Sequence, residues 1–154
     1  METVPIPGGT LVEKAFPRVD YADAYRTPAV GTAPELARRM LAGRSRMGGR
    51  LLRIRDALVR PFGVQPAHRG SSEVRIEAGG ARGPFHALEV SDEEVFGEDD
   101  RHLDYRVSLQ LARDRLAMLS TVVRFHGNAG RAYFLIVRPF HRVLARRLLA
   151  AVNR

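Results

Sequence analysis

The chain reads as an α+β domain, an antiparallel β-sheet followed by one long closing helix, and three stretches carry that reading. Between residues 102 and 111, Leu103, Tyr105, Val107, Leu109 and Leu111 alternate strictly with His102, Asp104, Arg106, Ser108 and Gln110. This is the pattern of an antiparallel strand with one buried and one wet face. After a turn at Arg113-Asp114, residues 116 to 126 return with both parities largely apolar. From about Asn128 the period changes to that of a helix. Tyr133, Ile136, Val137, Phe140, Val143, Leu144, Leu148 and Val152 form one apolar stripe, and Arg131, Arg138, Arg142 and Arg146 lie on the other side. A proline at 139 removes one helical hydrogen bond, so a bend is expected there.

The chain of 154 residues suits one domain and can bury roughly 68–70% of its unfolded surface in a single core. It has no cysteine, which excludes disulfides, thiolate nucleophiles and thiolate-bound zinc. No basic leader opens it, and its apolar runs fall far short of the ~20 residues of a membrane span. A soluble, cytoplasmic protein without a membrane span is expected.

In order, residues 1–18 hold Pro5, Pro7, Gly8, Gly9 and Pro17 and read as an irregular lead-in, with one domain over 19–154. Residues 20 to 26 alternate as a short strand with Val19, Tyr21 and Tyr25 on one side. Asp20 and Asp23 have opposite parity, which argues against a paired-carboxylate site and for structural placement. Thr32-Ala33-Pro34-Glu35 is a capping box that opens a helix to about Gly43. A second, basic helix follows Gly48-Gly49, with Met47, Leu51, Ile54 and Leu58 on its apolar face. Two shorter helices thus follow the first strand. Strands are expected at Glu73 to Ala78 and Phe85 to Val90, with a glycine loop between them, and a short strand from Glu94 to Gly97 lies between acidic turns. In the last strand Leu119, Thr121, Val123 and Phe125 are read as facing inward, because that set carries no charge. A hairpin loop one residue longer or shorter would exchange the faces.

The net charge of +8 is almost wholly arginine, since Lys14 is the only lysine. Eight arginines between Arg38 and Arg60 face Asp56 alone, six from Arg131 onward face no acid, and eight acids between Glu89 and Asp104 face Arg101. Such polarity fits basic helices lying near acidic hairpins, copies associating head to tail, or simply solvated faces. A homodimer is compatible with it.

No dinucleotide or phosphate-binding glycine motif, no Gly-x-Ser-x-Gly and no His-Glu-x-x-His occurs, so no cofactor and no common hydrolase mechanism is indicated. The stretch from Glu98 to Asp104 with His102 can be drawn as a metal site, but Arg101 and Arg106 crowd it with positive charge, and no metal is assigned. Nucleic acid is not an expected partner, because the arginines lack interleaved exposed aromatics and no reader motif is present.

The order of strand, two helices, meander and long terminal helix resembles the helix-grip arrangement of START-like, or Bet v 1-like, domains. That resemblance implies a sheet curved around the closing helix and an apolar cavity between them. For such a cavity Arg124, His126 and His141 are candidates for a polar rim, and Tyr105 and Tyr133 for hydroxyls inside. A lone Tyr or His at an element end is usually a satisfied structural group.

Gly83-Pro84-Phe85, the run from Gly97 to Asp104, Thr121 to His126, Gly130-Arg131, Tyr133 and Val137 to His141 together resemble an uncharacterised bacterial family. It is a domain of unknown function often found behind an NAD(P)-binding, epimerase-like Rossmann domain. The resemblance implies a Rossmann-type protein as partner and supplies no catalytic residues. Three functions are therefore expected in order: binding of a small apolar or amphipathic molecule through Tyr105, Arg124, His126, Tyr133 and His141; cyclase- or lyase-type catalysis using His126 and Arg124; and docking through the basic helices on an acidic partner, a membrane surface or a Rossmann protein.

Overall fold

In a computed structural model of the protein, residues 1–40, 42, 81–82, 85–89, 93–99, 102–112 and 114–153 are described. Among these residues seven strands form one sheet: β1 (Glu2–Val4), β2 (Tyr21–Pro28), β3 (Ala81–Arg82), β4 (Phe85–Glu89), β5 (Glu93–Asp99), β6 (Leu103–Leu111) and β7 (Leu116–Phe125). Their order is β1-β2-β7-β6-β5-β4-β3, and every neighbouring pair is antiparallel. A helix, α1, is described over residues 33–40, and the long helix α2 (Gly127–Ala150) closes the fold, followed by a 3-10 turn at Ala151–Asn153. The α+β class and the long closing helix agree with the sequence reading. The second short helix and the strand expected at Glu73 to Ala78 lie outside the described residues, as does the basic stretch from Arg44 to Arg60.

The capping box at Thr32 forms. The Glu35 carboxylate accepts the Thr32 N–H at 3.0 Å, and the Leu36 N–H bonds the Thr32 carbonyl at 3.0 Å. In the loop between β6 and β7, Arg115 lies in the left-handed region at φ 60° and its N–H bonds the Ala112 carbonyl at 3.0 Å. This loop sets Leu109 opposite Leu119 and Val107 opposite Thr121. Odd positions thus meet odd positions across β6 and β7, and β2 continues the row with Tyr25 opposite Leu119 and Asp23 opposite Thr121.

That odd face is the one α2 covers, as the charge-free pattern of Leu119, Thr121, Val123 and Phe125 indicated. Two apolar clusters form on it. One joins Tyr25, Leu109 and Leu119 to Leu36 and Met40 of α1 and to Ala145, Leu148 and Leu149 of α2. The other joins Leu103 and Val123 to Tyr133 and Phe134 of α2. Helix α2 packs on β2 and β7, and it runs without a break through Pro139.

The opposite, even face is covered by the N-terminal segment. Residues 1–18, expected as an irregular lead-in, contribute the edge strand β1, and Arg26 clamps Glu2 through two hydrogen bonds of 2.8 and 2.6 Å. Val12 is fully buried, and the Phe16 ring sits under the guanidinium groups of Arg106 and Arg124, at 4.9 and 5.4 Å. The Glu93 carboxylate anchors this strap by accepting the N–H groups of Leu11 and Val12 at 2.8 and 3.3 Å, and it also bonds the Ser108 hydroxyl. Strand β5 is accordingly longer than the short Glu94 to Gly97 strand expected: Glu98 and Asp99, read as a turn, pair with Tyr105 and Asp104.

Candidate functional site

Between the two apolar clusters, on the face under α2, lies a polar group built around Asp23. Strand parity places Tyr21, Asp23 and Tyr25 side by side on one face. Both phenols donate to Asp23 Oδ2, at 2.7 Å from Tyr21 and 3.1 Å from Tyr25. From α2, His141 brings Nε2 to 3.1 Å from Oδ1 and 3.2 Å from Oδ2. The Asp23 side chain keeps only 8% of its exposure. Burial by itself raises its pKa, but the hydrogen bond and charge of His141, joined by the two phenols, outweigh burial and hold the carboxyl below its ordinary value. Burial, followed by the hydrogen bond to Asp23, pushes the Tyr21 phenol up; burial and the Asp23 charge do the same to Tyr25. The group therefore consists of an ionised carboxylate, two protonated phenols and an imidazole.

Three arginines of α2 border it. The Arg138 guanidinium lies 5.4 Å from the Tyr21 ring centroid and that of Arg146 lies 5.3 Å from the Tyr25 ring. Arg142 hydrogen-bonds the Tyr21 hydroxyl, and that bond raises the arginine's pKa further. The Nε of Arg138 is buried and has no hydrogen-bond partner among the described residues.

A second carboxylate–imidazole pair sits on the even side of the sheet. Asp104 of β6, its side chain 4% exposed, faces Arg124 of β7 in register. Arg124 donates from Nη2 at 2.6 Å and from Nε at 3.1 Å to Asp104 Oδ2, and His126 Nε2 reaches the same oxygen at 2.9 Å. Burial raises the Asp104 pKa, and the bonds from His126 and Arg124 overcome it, so this carboxyl too lies below its ordinary value. Its Oδ1 is buried without a partner. Next to it the start of α2 is drawn close to the sheet at Gly130, where a methyl group would run into the His102 carbonyl, the same carbonyl that accepts the His126 N–H at 2.9 Å.

The five residues named from sequence fall into two places. Tyr105 and Tyr133 belong to the apolar cluster under α2, and His141 adjoins that cluster through its ring contacts to Phe134 and Tyr21. Arg124 and His126 are gathered by Asp104, on the side where Phe16 lies, and do not share a rim with His141. Asp23, Tyr21 and Arg138 were not among the site residues expected from the sequence. The signal for Asp23 was its own parity, since it shares the odd positions of Tyr21 and Tyr25 and so puts a carboxylate among aromatic neighbours on the core face. Comparing it with Asp20 hid this. Asp20, of the other parity, accepts the Phe125 N–H at 2.8 Å and meets Arg18 at 3.2 Å. Among the described residues no three His, Asp or Glu side chains converge as metal ligands, and no helix is long and apolar enough to cross a membrane.

The profile of the family described as "Protein of unknown function (DUF2867)" matches residues 15–148. The chain belongs to this family. No curated protein matches the chain in sequence. The DUF2867 span takes in every strand from β2 onward and nearly all of α2, and with them both carboxylate–imidazole pairs. It omits β1 and the part of the strap anchored by Glu93.

Proposed function

We propose that this DUF2867 domain binds a small apolar or amphipathic molecule in the layer between the sheet and α2, as a START-like, helix-grip domain does. The observation that carries the reading is the Asp23 group, a buried polar patch set between two apolar clusters on the face that α2 covers. Burying a carboxylate costs several kcal/mol unless it is fully bonded, and aliphatic side chains at such positions stabilise a fold at least as well. A few polar groups converging beside an apolar floor are what orients a ligand. Val107, Tyr105 and Leu111, partly buried odd-face residues of β6, supply that floor beyond the strands on which α2 packs.

Native and denaturing mass spectra of the purified chain, before and after incubation with a fatty amphiphile, test this directly. Added mass that disappears on denaturation is expected, and Val107→Trp, which fills the floor, is expected to abolish it while the thermal transition persists. Uptake unchanged in Val107→Trp, or no uptake by the folded wild type, would remove the proposal.

A second reading, general acid–base catalysis, is favoured by one observation, that a carboxylate fixes the orientation of the His141 imidazole. In this reading the base is His141, which lies on the face that α2 covers, whereas His126 is bonded to Asp104 on the other side of the sheet. Turnover of a bound molecule that survives in His141→Gln would exclude it.

A further inference from the structure

Arg138, Arg142 and Arg146 are spaced by four residues and so lie in one row along α2. The row runs beside Tyr21 and Tyr25. Among the described residues none of the three forms a salt bridge, α2 itself carries no acid, and the adjacent carboxylate, Asp23, is taken up by His141 and two phenols. Like charges at this spacing repel, so the row is unfavourable as it stands. The buried, unpartnered Nε of Arg138 sharpens the point. A guanidinium hydrogen left without an acceptor in a buried place is uncommon, and a missing ion or ligand is one of the few explanations for it. The edge formed by Nε and one Nη is also the edge that grips two oxygens of a carboxylate or phosphate at once.

We propose that the molecule bound between sheet and α2 carries an anionic head group, a carboxylate or a phosphate, held by Arg138 and Arg142 beside Tyr21. The proposal rests on the amphiphile reading above and adds the charge of the head group to it. Arg138 supplies the two-pronged contact, Arg142 the second positive charge, and the Tyr21 hydroxyl, tied to Asp23, fixes the near side of the site. A cationic or neutral head group would leave the arginine row uncompensated.

The test is a calorimetric titration of the full chain with laurate, dodecyl phosphate and dodecanol, each below its micelle or solubility limit. One or both anions are expected to bind more tightly than dodecanol. Arg138→Gln/Arg142→Gln is expected to weaken anion binding by about 10- to 100-fold, the loss of a charge-assisted pair, and to leave dodecanol unaffected. Should the double variant fail to fold by circular dichroism, Arg142→Gln alone, at an exposed position, gives the same comparison. Dodecanol binding as tightly as the anions, or anion affinity unchanged in the variant, would overturn the anionic head group while the amphiphile site stands. Failure of all three to bind the folded wild type would overturn both.

Discussion

Replacing Asp23 by Asn tests whether the polar group under α2 is an ion-centred network or an incidental set of contacts. The amide keeps one acceptor oxygen and nearly the same volume, so packing is preserved. It loses the charge and the second acceptor that now serve three donors, the phenols at 2.7 and 3.1 Å and His141 at 3.1 Å. Hydrogen bonds to a charged group contribute about 1.5–3 kcal/mol each, and at least one donor is stranded, so a loss of about 2–3 kcal/mol is expected. For a domain of this size that corresponds to roughly 4–12 °C in Tm. The assay is urea unfolding of both chains at pH 5 and at steps down to pH 2.5. The folded-state pKa of Asp23 lies below its ordinary value of 3.8. Its stabilisation is therefore present above that value and is lost as pH falls through the folded pKa. The gap between wild type and Asp23→Asn should be full at pH 5 and should narrow on acidification, while Asp20 and Asp104, common to both chains, cancel. A gap below about 0.5 kcal/mol at pH 5, the range of an ordinary surface change, or one that does not narrow in acid, would refute the network.

Three further outcomes are expected. Gly130→Ala should destabilise by about 1–3 kcal/mol despite the better helix propensity of alanine, because its methyl meets the His102 carbonyl and the Phe125 Cβ; a urea midpoint equal to or above that of wild type would contradict this. Glu93→Ala should release the strap, seen as faster amide exchange at Leu11 and Val12 with exchange in β7 little changed. The phenols of Tyr21 and Tyr25 have folded pKa values above 10.0, so their contribution is complete below pH 10 and is lost as pH rises through the folded values. Ultraviolet titration should show tyrosinate absorbance lagging that of the denatured chain, and Tyr21→Phe should reduce the lag.

What the sequence made legible were the elements whose residues answer to one partner surface. Strand β6 alternates because its odd positions join the apolar clusters while Asp104 and Ser108, at even positions, bond polar partners on the side of the strap, and α2 shows a 3.6-residue stripe because a single face is covered. Strand β7 was harder, since Val122 on its outer side is as buried as Val123 on its inner side; only the absence of charge on the odd set distinguished them. Elements that depend on distant partners were not legible. Proline and glycine in the first 18 residues indicate irregular backbone, yet Val12 is buried because Glu93, 81 positions away, accepts its N–H. Likewise, Asp99 reads as a turn residue until Arg106 meets it at 2.7 Å across β5 and β6. The candidate site was half legible: His141 and the tyrosine positions could be named, whereas the carboxylates that gather the histidines could not be chosen without knowing which strands adjoin.

The two carboxylate–imidazole pairs also bear on how α2 is placed. An apolar helix stripe repeats every turn, so sliding α2 by one turn along β2 and β7 would still bury most of it. The polar pairs do not repeat. His126 is fixed to Asp104 just before the helix begins, and His141 is fixed to Asp23 fifteen residues later, ~22 Å along a helix at 1.5 Å per residue. A one-turn slide would move the ends by about 5.4 Å, take His126 and His141 off their carboxylates and change the close approach of Gly130 to the His102 carbonyl. Apolar packing thus supplies most of the stability of the layer, and the two pairs select one alignment within it. That alignment is also what sets Arg138 and Arg142 beside Tyr21. If the anionic head group binds there, Asp104→Asn, remote from the ligand, should weaken laurate binding through the position of α2, and should do so less than Arg138→Gln/Arg142→Gln.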